Sequence, residues 1–491
     1  MGAPSLDETG TIAGDPLIIQ GGMGVAISTW RLARAVALHG QLGTVSGTAL
    51  SVVLARRLQD GDPDGAVRRA LSYLPLPGVA ERLLDRYFVE GGIPAGQPYA
   101  SVPRPTLDAR AAFTELTVAA NFVEVLLAKE GDTGPIGVNY LHKVRLPTPA
   151  SLYGALLAGV DYVAMGAGIP RDIPALLDDL VQQRPVSLRV PLAGEATAAA
   201  TLTFDPIDLW PREGSAQPPL LRRPRFLAIV ASATLAKSLA REEATRPDGF
   251  VVEGPGAGGH NAPPRGRTRL DEAGQPIYGP RDAVVAEEVA ELGLPFWLAG
   301  GYGRAGGLKE ALAAGASGVQ VGTLFALCAE SGMAEIHRAT LLDQVLAGTV
   351  RVRTDPLASP TGFPFKVGAL EDTLSEETVR ENRRRTCDLG FLSEAYVRPD
   401  GRVGYRCAAE PVDDYVRKGG SEADTVGRVC LCNALTATAG LPQRRAGSYT
   451  EPAIVTVGDG LDDVGALLAH NGGRFTASDV IDHVLGFQRS E

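Results

Sequence analysis

Residues 249–260 read Gly-Phe-Val-Val-Glu-Gly-Pro-Gly-Ala-Gly-Gly-His, the stretch of the chain best equipped for chemistry. Phe250, Val251 and Val252 make a short apolar run suited to a strand buried on both faces. Gly254, Gly256, Gly258 and Gly259 then leave the backbone nearly bare, so a planar ligand can lie against it. His260 follows at once, and imidazole is the side chain that gives or takes a proton near neutral pH. Of the other histidines only His142, just past Asn139 at a strand end, is a candidate to support such a site. A second set of reactive groups lies far downstream. Cys387, Cys407, Cys430 and Cys432 follow the spacing C-x19-C-x22-C-x-C, with Asp388, Glu410 and Asp413 nearby. Thiolates gathered in this way are the soft ligands of zinc or an iron–sulfur centre, although the paired C-x-x-C knuckles of a zinc ribbon are missing. The alternative is a group of unliganded buried thiols, and Cys328 reads as an ordinary core cysteine.

These groups need a scaffold, and the chain supplies a regular one. From Pro16 to about residue 330, short apolar runs ending in glycine or small polar residues alternate with helix-like stretches. Strands are expected at 17–20, 42–46, 136–140, 161–165, 226–230, 249–253, 295–299 and 318–322. Eight strand–helix units are the number that closes a (β/α)8 TIM barrel, whose site lies at the carboxyl ends of its strands. After strand seven comes Gly300-Gly301-Tyr302-Gly303 and after strand eight Gly322-Thr323, where bare amides at helix starts would cradle a phosphate. Residues 51–130 interrupt the rhythm as a helical insertion expected to cap one side of the mouth. Residues 183–222 do so with an alternating pattern that reads as a β-ribbon. The division expected is a tail at 1–15, a barrel at 16–370 and an accessory C-terminal segment at 371–491, whose last helices serve packing.

The totals narrow the function classes. A net charge of −10 and a pI near 5.3 argue against a nucleic-acid surface, which needs clustered positive charge. The first fifteen residues lack the basic start and apolar core of a secretory signal, and no apolar run stands out as long enough to span a bilayer. Five cysteines in so long a chain point to thiols in a reducing compartment, so a cytoplasmic enzyme is expected. The partners expected are a small-molecule or carrier-bound acyl substrate and, as an option, a second copy of the chain, with no nucleic acid and no membrane.

Gln20-Gly21-Gly22-Met23-Gly24, Gly137-Val138-Asn139, Ala257-Gly258-Gly259-His260, Leu298-Ala299-Gly300-Gly301 and Gln320-Val321-Gly322-Thr323 together resemble the nitronate monooxygenase family, formerly the nitropropane dioxygenases. Flavin-type enoyl-acyl carrier protein reductases share the pattern. The resemblance runs from about Pro16 to Val367 and includes Ser359-Pro360-Thr361-Gly362-Phe363-Pro364, similar to the segment that returns to the flavin. It implies an FMN-dependent enzyme. Gly22, Met23 and Asn139 would line the flavin ring, with Met165, Gly166 and Ser232 beside them. Gly258 and Gly259 would let the cofactor lie close, Gly300, Gly301, Gly322 and Thr323 would bind its phosphate, and His260 would be the active-site base or hydrogen-bond donor. Relatives usually carry Glu-Ala-Gly-Gly-His, whereas here the acid sits further back, at Glu253. The functions implied are oxidation of a nitronate or similar carbanion with oxygen or, alternatively, NAD(P)H-dependent reduction of an enoyl thioester. A further alternative is a non-catalytic flavin-binding docking component.

Overall fold

The computed structural model describes residues 14–108, 110–131, 134–194, 198–211 and 217–486, so all but the end of the expected N-terminal tail lies outside the described residues. The chain forms a (β/α)8 barrel. Its strands are Ile18–Gln20, Gly43–Ser46, Ile136–Leu141, Tyr162–Gly166, Arg225–Val230, Gly249–Glu253, Phe296–Ala299 and Gly318–Val321, all paired in parallel. The first and second strands complete the ring through Gln20 N to Leu42 O at 2.9 Å and Leu42 N to Ile18 O at 3.1 Å.

Strand alternation sorts the apolar side chains into two layers. Ile19, Leu42, Ala164, Leu227, Val251 and Trp297 meet in a cluster of their own inside the ring. Their chain neighbours Ile18, Val163, Phe226, Ala228, Phe250, Val252, Phe296 and Leu298 join the larger core under the helices. Trp297, fully buried, donates its indole N–H to Pro16 O at 2.7 Å and plugs the end of the barrel opposite the glycine loops.

The helical insertion does not cap the mouth. Its helices Ala66–Leu71 and Val79–Tyr87 pack outside the barrel on Leu50–Gln59 and Ala111–Lys129. Ala111–Lys129 is long and apolar enough to cross a membrane by length and composition, in contrast to the sequence reading, and 72% of that window is buried in the protein. Its buried Glu124 is partnered inside the fold, accepting from Trp30 N at 2.8 Å and from Arg57 at 2.7 Å.

The ribbon of Val186–Ala193 and Ala199–Phe204 leaves the barrel and builds a separate four-stranded sheet with the hairpin Glu394–Val397 and Val403–Arg406. The C-terminal segment therefore wraps around the barrel. Helix Asp462–His470 packs on Glu335–Leu346, and Ala477–Leu485, closed by a Thr476–Asp479 capping box, packs on Trp30–Ala37.

Candidate active site

A cavity of about 360 Å³ opens at the carboxyl ends of the barrel strands, within the size range of small-molecule and cofactor sites. Gly22, Met23, Asn139, Gly166, Gly258, Gly259, His260, Gly300, Gly301, Gly322 and Thr323 all line it. The glycines there answer to geometry. Gly300 has φ +84°, and a Cβ on it would stand 2.8 Å from Gly254 O, so the loops after strands six and seven touch only because this position is bare. A Cβ on Gly22 would lie 2.3 Å from that of Asn139. Gly259 and Gly301, also at positive φ, face open space.

Two expected residues are elsewhere. Met165 is fully buried in the core under the helices, because alternation along its strand turns Ala164, not Met165, into the ring. Ser232 spends its hydroxyl on the N-terminus of helix Ala233–Ala240, accepting from Leu235 N at 3.1 Å. Neither is among the described residues lining the cavity. His142 is also set apart, buried between Asp172 at 3.1 Å and Arg145 at 2.8 Å.

His260 is held from the far side by residues that follow the barrel. Its Nε2 lies 2.8 Å from Ser359 Oγ, and its ring meets Phe365 edge-on at 4.9 Å between centroids. Main-chain bonds from Asn261 N to Pro364 O and from Lys366 N to Gly259 O, each 2.9 Å, seat the 359–366 strip against the histidine loop. Ser359 Oγ continues to Thr361 Oγ1 at 2.8 Å, and Thr361 Oγ1 accepts from Lys143 Nζ at 3.3 Å. Burial, followed by the charge of Lys143, holds His260 well below the ordinary histidine value, so the imidazole is neutral near pH 7. Burial also lowers Lys143 to about 7 and raises Glu253, another lining residue, to about 7.

The sequence reading missed Lys143, whose signal was a lone lysine just past the third strand beside the mouth. It also missed the wall. Phe391, Leu392, Leu431, Cys432 and Leu435, with Thr456, Val457, Gly458 and Gly460, come from the C-terminal segment and close the cavity. Thr456 Oγ1 accepts from Gly259 N at 2.8 Å and Thr323 Oγ1 from Gly458 N at 2.9 Å. Beside Gly300 and Gly301, Arg304 lines the cavity together with Asp462 and Asp463, and Asp463 accepts from Ala305 N at 3.2 Å.

The four cysteines do converge, with Cys387 and Cys432 packed against Cys407 and Cys430. They are not arranged as metal ligands: among the described residues no group of three or more Cys, His, Asp or Glu side chains is placed to hold a metal ion. The four thiols share one cluster, in which Cys387 and Cys407 influence each other most, as do Cys430 and Cys432. Their sulfurs also face Arg104, Ser393 and Asn433 as hydrogen-bond partners. The influence of Cys407, helped by the Arg104 charge, brings the Cys387 thiol down to about 6, and Cys387 in turn pushes Cys407 up.

Comparison with known proteins bears on the barrel. Residues 222–355, the part that carries the fifth to eighth strands and both glycine loops, match the family described as nitronate monooxygenase. A nitronate monooxygenase of Pseudomonas aeruginosa is 33% identical over 144 residues, 29% of this chain and 38% of that protein. A Mycobacterium tuberculosis protein named (3aS,4S,5R,7aS)-5-hydroxy-7a-methyl-1-oxo-octahydro-1H-indene-4-carboxyl-CoA dehydrogenase is 28% identical over 246 residues, 47% of this chain and 64% of its own length. The chain thus matches less than two thirds of either relative. Among solved structures, FabK from Thermotoga maritima aligns with 96% of this chain and 93% of its own at 16% identity, with a TM-score of 0.45. The matched residues contribute His260 and both glycine loops to the cavity, while Lys143 and the C-terminal wall come from outside them.

Proposed function

We propose that this protein is an FMN-dependent oxidoreductase of the nitronate monooxygenase type, oxidising a nitronate or similar carbanionic substrate with molecular oxygen. The observation that carries the reading is the position of His260: it lines the cavity beside the bare glycine loops, neutral and oriented by Ser359 at 2.8 Å. In this reading Gly22, Met23, Asn139 and Gly166 line the isoalloxazine ring. Gly258 and Gly259 admit it close to the backbone, where a Cβ on Gly259 would project into open space. Gly300, Gly301, Gly322 and Thr323 take the phosphate, with Arg304 the nearby cation. Flavin, when bound, supplies the two-electron oxidation and its reversal by oxygen.

The protein's own residues bind the substrate and handle the proton. Neutral His260 accepts a proton from a carbon acid, or donates a hydrogen bond to the anion already formed. Ser359, Thr361 and Lys143 fix its ring in one orientation. The apolar wall of Phe391, Leu392, Leu431 and Leu435 keeps water from the reacting face.

The reading is tested by anaerobic reduction of the yellow enzyme: a nitronate should bleach it and NAD(P)H should not. An enoyl-thioester reductase gives the reverse. That second reading is favoured by the apolar wall, which suits an acyl chain, and by the relative whose name specifies a carboxyl-CoA substrate. A docking component would bind FMN and be reduced rapidly by neither.

A further inference from the structure

The thiol cluster behind the cavity wall has a chemistry of its own. Cys387 is half-buried, on the stretch after helix Glu377–Asn382, and Cys407 is buried just past strand Val403–Arg406. Both are free thiols, and Cys387 packs against the cluster that holds Cys407. Two further groups face the same sulfur. Arg104 Nη2 stands 3.7 Å from Cys387 Sγ, brought there from 283 residues away, and Ser393 Oγ lies 3.7 Å from it on another side. A guanidinium, a hydroxyl and a second thiol around one partly accessible sulfur make the setting of a nucleophilic thiolate with a resolving partner at hand. Cys430 and Cys432 differ: Cys430 is buried, it meets the Asn433 amide at 3.6 Å, and no cation is within hydrogen-bond reach of it among the described residues.

We propose that Cys387 and Cys407 form a peroxide-reactive dithiol, with Cys387 as the attacking sulfur and Cys407 as the sulfur that closes the disulfide. The Cys387 thiolate attacks one oxygen of hydrogen peroxide. An S–O bond forms, the O–O bond breaks, and the leaving hydroxide takes up the proton that Cys387 had lost to solvent, departing as water. Cys407 then attacks the sulfenic sulfur. An S–S bond forms, the S–O bond breaks, and the expelled hydroxide leaves as water with the Cys407 proton. Two thiols lose two electrons, and one peroxide becomes two waters. Reduction by a low-molecular-mass dithiol restores the pair. The site does not depend on what the barrel binds. Its position still has a consequence, because Phe391 and Leu392, on the same stretch as Cys387, belong to the cavity wall.

The test is treatment of the full-length protein with a small excess of hydrogen peroxide at neutral pH, followed by non-reducing peptide mapping. The result expected is a Cys387–Cys407 disulfide as the first product. In Cys407→Ser the reaction should stop at a sulfenic acid on Cys387 that dimedone captures, and Cys387→Ser should leave Cys407 reduced. Arg104→Gln should slow the reaction roughly tenfold through a smaller thiolate fraction. Wild-type mapping decides the matter even if a variant misfolds. The proposal is overturned if Cys387 survives while other thiols oxidise, if Cys387→Ser reacts as fast as wild type, or if the purified protein carries zinc or iron on these sulfurs that shields them.

Discussion

At the scale of single residues, the behaviour of the site follows from three buried titratable groups. His260→Gln removes the base and is expected to lower kcat with a nitronate by about 100- to 10,000-fold while FMN stays bound. Lys143 makes a pH-dependent prediction. Its folded value is about 7, far below that of an unfolded lysine, so between about 7 and 10 the unfolded chain holds the extra proton and stability falls as pH falls. Lys143→Met should therefore raise Tm at pH 7, and the gain should shrink as the pH approaches about 10. Lys143 also holds His260 down, so in the same variant the acid limb of the kcat/KM profile should move to higher pH. Glu253 ionises near 7 while facing the cavity. Binding of anionic FMN should weaken as pH rises through about 7, and titrations of Glu253→Gln should show no such step. The stability effect of His260 has the same sign in a lower pH window. Its folded value lies below the unfolded one, so the contribution of the neutral ring is lost as pH falls below about 6.5.

At the scale of elements, the site is a meeting of loops, and Gly300 is where two of them touch. Gly300→Ala places a methyl 2.8 Å from Gly254 O at a φ of +84°, which costs about 1–3 kcal/mol in backbone strain. A lower Tm and a raised FMN dissociation constant are expected together, because the loop after strand six carries His260. Much of this architecture was legible in the sequence. Strands buried on both faces leave apolar runs, and most of them end at a glycine that lets the chain turn toward the cavity, so all eight strands stand within a residue or two of expectation. The errors came from finer geometry. Met165 and Gly166 are adjacent, yet only Gly166 reaches the cavity, since a shift of one residue reverses the face. Ser232 sits at a strand end as expected, but the helix that follows claims its hydroxyl. The wall was not legible at all: Gly259 and Thr456 bond across 197 residues of chain, and no local pattern announces such a contact.

At the scale of the whole molecule, the C-terminal segment is part of the candidate site and not an appendage to it. It supplies the strip that positions His260, the cavity wall and the helices that pack on the barrel. It is tied to the helical insertion as well, with Tyr99 N donating to Gln443 Oε1 at 3.0 Å and Leu107 N to Tyr405 OH at 2.7 Å. Barrel and segment should therefore unfold together, and cofactor and fold should be lost in one transition. The central claim, a flavin held at the strand ends beside His260, is tested most directly by the visible absorbance spectrum of the purified full-length protein with its flavin released and quantified. The two visible flavin bands and one FMN per chain are predicted. A colourless protein that cannot be reconstituted with FMN would contradict the account.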